Sequence, residues 1–227
     1  MLGICAHRRT GLPSIAVAKD YKRREEGDKG LNTGGMGAVS PVPFVDVELM
    51  NKTISRIVEP TLGGLRAEKL SFCGFLFFGL IEVQGEPFVI EYNVRLGDPE
   101  TEVVLPRVKG DFLQALEAAA RGTLGEMELE EDTRVASTVI SVSEGYPEAY
   151  NKGKAIRGLE EVEEATVFHA GTRKEGEEIL SSGGRVLAFT ALDENLEGAL
   201  EKSYAAIKKI CYDGIAFRTD IGADLKP

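Results

Sequence analysis

Val89-Ile90-Glu91-Tyr92-Asn93-Val94-Arg95-Leu96-Gly97-Asp98-Pro99-Glu100-Thr101 is an apolar strand that runs into a knot of charged and amide side chains. Side chains of an extended segment alternate between faces, so Glu91, Asn93 and Arg95 share one side while Ile90, Tyr92 and Val94 take the other. One face packs. The second offers a carboxylate and an amide oxygen two residues apart, two hard oxygen ligands for a divalent cation such as Mg2+, which completes its shell with water and substrate phosphates. Arg95 is placed to grip a phosphate or carboxylate through paired hydrogen bonds. A solvated strand edge would account for Glu91 and Asn93 alone. It does not account for the turn that follows, where Asp98 and Glu100 add two acids whose mutual repulsion calls for a cation. The stretch reads as a metal and anion site.

Working outward, residues 72–83 and 87–94 form the two strands of a hairpin turning at Gln84-Gly85-Glu86. This register sets Phe78 opposite Glu91. Before the hairpin, Met50, Ile54, Ile57, Val58, Leu62 and Leu65 recur at helical spacing from Asp46 onward, with Pro60 placed to kink or end the helix. Residues 12–18 read as a strand that leads into the mixed charges Asp20, Lys22 and Arg23, which as a pattern also suit solvated surface. The glycine-rich run Asn32-Thr33-Gly34-Gly35-Met36-Gly37 is a loop. It could turn backbone amides toward an oxyanion or be an ordinary turn, and it lacks the Lys-Ser or Lys-Thr ending of a P-loop. Pro41 and Pro43 follow it where a dinucleotide fold would place a helix.

After the quoted stretch, residues 111–121 suggest a helix with Phe112, Leu113, Leu116 and Ala120 inward and Gly122 as its stop. Acidic and small polar residues around Gly125 to Asp132 mark a boundary, dividing the chain into 1–128 and 129–227. Beyond it lie a strand over 134–142, short strands near Ala155, Thr166 and 185–191, and a helix carrying Leu196, Leu200, Tyr204, Ile207 and Cys211. The fold class is α+β, with a mainly antiparallel sheet and helices followed by a small α+β unit.

The 227 residues carry a net charge of -10 and a pI near 4.9, which argues against nucleic acid as a partner. Cys5, Cys73 and Cys211 are odd in number and lack metal-ligand spacing, so neither a disulfide framework nor a zinc site is expected. The longest apolar run, around Phe75 to Val83, is too short and too rich in glycine to span a bilayer, and residues 1–12 hold no secretory stretch. No membrane partner and a cytoplasmic location are expected. His7 and His169 have no Ser or Cys partner in a nucleophile motif.

The strings Lys19-Asp20-Tyr21-Lys22-Arg23, Gly27-Asp28, Asn32-Thr33-Gly34-Gly35-Met36-Gly37-Ala38-Val39-Ser40-Pro41 and Glu91 to Thr101, in this order and spacing, resemble the glycinamide ribonucleotide synthetase (phosphoribosylamine–glycine ligase) family of the ATP-grasp superfamily. Gly145-Tyr146-Pro147, Lys152-Gly153, Phe168-His169-Ala170-Gly171-Thr172, Gly183-Gly184-Arg185-Val186 and Arg218-Thr219-Asp220-Ile221-Gly222 resemble that family's carboxy-terminal domain. The resemblance implies the carboxy-terminal part of an ATP-grasp domain in residues 1–128, followed by the family's carboxy-terminal domain in 129–227. It implies ligation of glycine to phosphoribosylamine with cleavage of ATP to ADP and phosphate through a glycyl phosphate. ATP and Mg2+, or Mn2+, are the implied cofactors.

By the same resemblance Glu91 and Asn93 hold the metal, and Arg95 and Asp98 are catalytic. Asp20, Lys22, Asn32, Thr33, Gly34, Gly35, Gly37, Gly97, Pro99, Glu100 and Thr101 shape the pocket for glycine, acyl phosphate and amine. Glu82, close to the hairpin turn, is not expected among the ligands. Members of the family begin with a glycine-rich nucleotide domain that is not recognisable here, so the chain is expected to be amino-terminally truncated and weak or inactive alone. Apolar surface around Phe75, Phe77 and Phe78 would then be uncovered. The alternative is a non-catalytic binding or assembly module that needs a separate amino-terminal partner domain.

Overall fold

Short turns with glycine close hairpins in this chain, and the remaining strands pair across long sequence separations. The computed structural model describes residues 2–6, 15–126 and 129–225. In chain order come β1 (Leu2–Ala6), β2 (Ile15–Asp20), β3 (Arg23–Glu25), β4 (Lys29–Asn32) and β5 (Gly37–Ser40). A helix follows in three stretches: α1 (Val47–Thr53), a π-helical turn (Ile54–Val58) and α2 (Glu59–Ala67). Pro60 does not end it: the proline sits in the first turn of α2, just after the π-helical turn, and the helix runs on to Ala67. Asp46 caps its start by accepting the Leu49 N–H.

The hairpin is β6 (Leu76–Val83) and β7 (Glu86–Asn93), turning at Gln84 and Gly85 with φ of 55° and 79°. A bulge at Ile90 alters the expected register: Gly79, not Phe78, lies opposite Glu91, and Phe78 pairs with Tyr92. The chain continues through α3 (Thr101–Val104), β8 (Val108–Lys109), α4 (Phe112–Arg121), β9 (Glu130–Glu131) and β10 (Val135–Ser143). Helix α4 ends at Gly122 in the left-handed conformation, as expected, but its inward residues are Ala115 and Ala118. Leu113, Leu116 and Ala120 are exposed, while Phe112 stacks on Phe75.

The last part comprises β11 (Ala155–Ile156), β12 (Thr166–His169), a hairpin of β13 (Thr172–Glu175) and β14 (Glu178–Ser181) that sequence reading missed, β15 (Arg185–Asp193), α5 (Leu196–Lys209) and β16 (Ile215–Ala216). Cys211 falls beyond α5, where it bridges Arg157 instead of facing the core.

Among the described residues nine strands form one antiparallel sheet, in the order β12-β15-β10-β5-β2-β1-β6-β7 with β16 attached to β10. The expected boundary at 128/129 adjoins residues 127–128, outside the described residues, and strands from both sides of it share this sheet. Helix α5 covers one face through Ser137 and Ser203, whose hydroxyls lie 2.9 Å apart, and α3 covers the other through Ala136. Phe77 and Phe78 are buried, contrary to the expected exposure; among the exposed apolar side chains Phe88, Ile90, Tyr92 and Val94 cluster on and just past β7. Cys73 and Cys211 form no disulfide.

Candidate active site

Three segments converge at one end of the sheet: the end of β2 with Asp20 and Lys22, the loop 33–36 before β5, and the segment from β7 to α3. Strand alternation puts Tyr92 against the ring of Phe78, at 5.4 Å, on the helix side. Glu91 and Asn93 therefore take the opposite side, toward Lys22, whose ammonium feels the charge of Glu91. Asn93 Nδ2 is buried and has no hydrogen-bond partner. Such a group costs stability unless a ligand completes it. Since the nitrogen and oxygen of an amide interchange by a flip, the same site can present its oxygen. The side chains that share this space are acids. Asp20 (4 % exposed) and Glu100 (3 % exposed) have carboxylate oxygens without hydrogen bonds, and among the described residues the Lys22 ammonium, 2.5 Å from Asp20 Oδ2, offsets them.

Burial and then the neighbouring Glu100 push the Asp20 carboxyl up to about 7, against the pull of Lys22. Burial likewise raises Glu100. For Lys22 burial works against the charge, but Asp20, Glu100 and Glu91 outweigh it and hold the ammonium above its ordinary range. The cluster holds excess negative potential, which a cation would relieve. Among the described residues no three His, Cys, Asp or Glu side chains converge closely enough to chelate an ion by themselves. A two-ligand set completed by water and phosphate is the alternative that Mg2+ commonly uses.

The glycine-rich loop is not a set of free amides. Thr33 N–H donates to Lys22 O, Gly34 N–H to Tyr146 Oη, Gly35 N–H to Thr33 Oγ1 and Met36 N–H to Tyr21 O. The glycines serve close approach instead: a Cβ on Gly35 would lie 2.3 Å from Pro99 Cδ and 2.7 Å from Asp20 Oδ1. Gly37 packs against Thr138 O and Ile221, on the core side, and Asn32 is exposed on β4 opposite Arg23. Gly97 abuts Glu100 Oε2, which would lie 2.5 Å from a Cβ there. Thr101 turns its hydroxyl back on Gly97 O.

Arg95 differs from its expected alignment. The strand ends at Asn93, so Arg95 leaves the alternation, stands exposed and donates to Leu96 O. Asp98 pairs with Arg185, at 2.7 Å. Glu82 accepts the Gly85 N–H within the hairpin turn. The end of β2 is braced from the far end of the chain. Arg218, stacked 5.4 Å over the Tyr21 ring, binds Asp220 and Asp28, and Tyr21 donates to Asp224.

Sequence reading passed over Glu102, Tyr146 and Arg185 as site residues. The last two sat in glycine-flanked strings, and a glycine beside a large polar side chain is the signal for close approach. Glu102 is pushed up to about 7 by burial and by Asp98, with Oε2 unpartnered. Between about pH 4.5 and 7 the folded protein keeps a proton that the unfolded chain has given up, so stability present below that window is lost as pH rises through it. Urea unfolding should show a decline of about 2 kcal/mol from this group between pH 5 and pH 8, with Asp20 adding in the same direction. Glu102→Gln should flatten its share; equal slopes for variant and wild type would contradict the assignment. A separate cavity of ≈ 340 Å³, lined by Phe44, Asp46, Leu49, Lys52 and Glu82 among others, shares no residue with this site.

Comparison with known proteins gives the following. Residues 5–101 match the family model described as phosphoribosylglycinamide synthetase, ATP-grasp (A) domain, and residues 136–224 match the one described as phosphoribosylglycinamide synthetase, C domain. The phosphoribosylamine–glycine ligase of Chlorobaculum tepidum is 46 % identical over 209 residues, covering 91 % of this chain and 49 % of that protein. That of Caldanaerobacter subterraneus subsp. tengcongensis is 43 % identical over 210 residues, covering 92 % and 50 %. The crystal structure of the Thermotoga maritima phosphoribosylamine–glycine ligase superposes with a TM-score of 0.87 at 35 % identity, over 96 % of this chain and 55 % of that one. The chain spans about half the length of the curated relatives it matches.

Proposed function

The chain belongs to the phosphoribosylglycinamide synthetase family, and we propose that it carries the metal-phosphate and substrate groups of an ATP-dependent ligation of glycine to 5-phosphoribosylamine, giving glycinamide ribonucleotide, ADP and phosphate. The observation that carries this reading is the buried Asn93 Nδ2, which has no hydrogen-bond partner, on the strand face it shares with Glu91, in a site whose other side chains are acids in excess of their cations. Those residues fit Mg2+: one carboxylate, one amide and unrelieved negative charge. ATP-grasp proteins generically use ATP with Mg2+, and here Glu91 and Asn93 would hold the ion. When bound, it would neutralise phosphate charge as the terminal phosphoryl group is transferred.

The chain's own groups then have distinct tasks. Lys22, kept charged by Asp20 and Glu100, faces the Glu91 side and stabilises the anionic acyl phosphate. Arg95, unpaired with any carboxylate among the described residues, is free to reach an entering anion. Pro99, packed on Gly35, fixes the turn that carries Asp98 and Glu100. In this reading residues 1–128 supply the site and residues 129–227 brace it. No helix among the described residues is long and apolar enough to cross a membrane. A cytoplasmic site of action is part of the proposal.

A chimera tests it. Residues 17–225 would replace the matching half of the Chlorobaculum tepidum relative, with phosphate release measured against glycine and phosphoribosylamine. Turnover within about tenfold of the parent, requiring both substrates, is expected. A folded chimera that binds ATP but releases no phosphate on adding both substrates would refute the assignment and favour a non-catalytic module.

A further inference from the structure

The backbone of Gly34 is held on both sides of its Cα by side chains from the carboxy-terminal region. Its N–H donates to Tyr146 Oη at 2.9 Å, and its C=O accepts from Arg185 Nη1 at 3.0 Å. The same Nη1 reaches Asp98 O at 3.0 Å and Asp98 Oδ1 at 2.7 Å. One guanidinium nitrogen thus joins the glycine-rich loop to the turn that carries Asp98, Pro99 and Glu100. Room for this has been cleared on both sides. A Cβ on Gly34 would lie 2.8 Å from Arg185 Cζ, and one on Gly184 would lie 2.2 Å from Tyr146 Cδ2. Tyr146 is itself fixed, since its backbone oxygen accepts from Arg24 Nε at 2.9 Å and its ring meets that of Tyr150 at 6.2 Å.

We propose that Tyr146 and Arg185 are positioning residues, a clamp through which the carboxy-terminal region sets the spacing between the glycine-rich loop and the Asp98–Glu100 turn. Neither touches the metal pair. They act through Gly34 and Asp98, whose neighbours Gly35 and Pro99 press together over Asp20. Without the clamp both loops keep their covalent ends but lose the contact that fixes their separation. The role of that spacing in ligation rests on the function proposed above; the clamp itself does not.

Residue-resolved amide exchange on the whole chain tests it. Arg185→Met should speed exchange at residues 34–36 and 97–101 by roughly tenfold or more while β10 and β15 keep their protection. Arg185→Lys, which retains a donor, should recover most of that protection. Tyr146→Phe should release chiefly the Gly34 amide. Unchanged exchange in Arg185→Met, acceleration spread through β10 and β15, or no recovery by lysine would each overturn the clamp. Mn2+ titration of the same samples keeps the two ideas apart. Absent binding by the wild type would sink the metal site without altering the exchange result, and Arg185→Met should leave the Mn2+ affinity within about twofold.

Discussion

Glu91→Ala should weaken Mn2+ binding by roughly 100-fold or more and lower turnover of the chimeric enzyme by about 1000-fold, equivalent to about 4 kcal/mol of barrier. Of the two side chains proposed to hold the ion, only Glu91 is anionic, and Asn93 alone would not offset the cost of stripping water from a divalent ion. Glu91 is exposed, so its removal should alter folding stability by no more than about 0.5 kcal/mol. Asn93→Leu sharpens the test, because the two expectations point in opposite directions. The buried Asn93 Nδ2 has no partner, so replacing the amide by an isosteric apolar group should stabilise the fold by about 1 kcal/mol while removing metal binding. Electron paramagnetic resonance of Mn2+ and urea unfolding measure the two quantities. Metal affinity unchanged in either variant would end the assignment.

What the sequence made legible follows from the range of the forces involved. The shared face of Glu91 and Asn93 was readable because strand alternation is local, and the bulge at Ile90 lies before both residues and leaves that face intact. The same bulge spoiled the cross-strand register by one residue, since nothing in Val89-Ile90-Glu91 announces an extra residue. Arg95 was misaligned because alternation was extended two residues past the strand's end. In α4 an apolar stripe over Leu113 and Leu116 read as inward, yet the tertiary partner was found by Phe112, Ala115 and Ala118. The deeper parts of the site were the least legible. Asp20 and Glu100 are eighty residues apart in sequence, and that both become buried around Lys22 is a property of the assembled sheet and turn. The Arg185 bridge is longer still. Its trace in the sequence was steric: glycines at 34, 35, 97 and 184 stand where a side chain would collide.

Gly35→Ala should be the most destabilising small substitution in this site, costing about 3–5 kcal/mol in urea unfolding. Two independent penalties add. The φ of Gly35 is +124°, outside the range that an L side chain readily adopts, and the added methyl would overlap the Pro99 ring at 2.3 Å and Asp20 Oδ1 at 2.7 Å. Neither neighbour can retreat cheaply, since Pro99 is buried and rigid and Asp20 is tied to Lys22. Gly85→Ala provides the control for backbone strain alone. Its φ of +79° is also positive, but nothing lies within 4 Å of the position, so about 1 kcal/mol is expected. The difference between the two isolates the steric part. Pro99→Ala, which trims the ring, should recover at least about 1 kcal/mol when combined with Gly35→Ala, a coupling that two unconnected sites would not show. Strict additivity of the pair, or equal costs at Gly35 and Gly85, would mean that the loop and the turn do not press together, and the geometry that surrounds Asp20 would have to be abandoned.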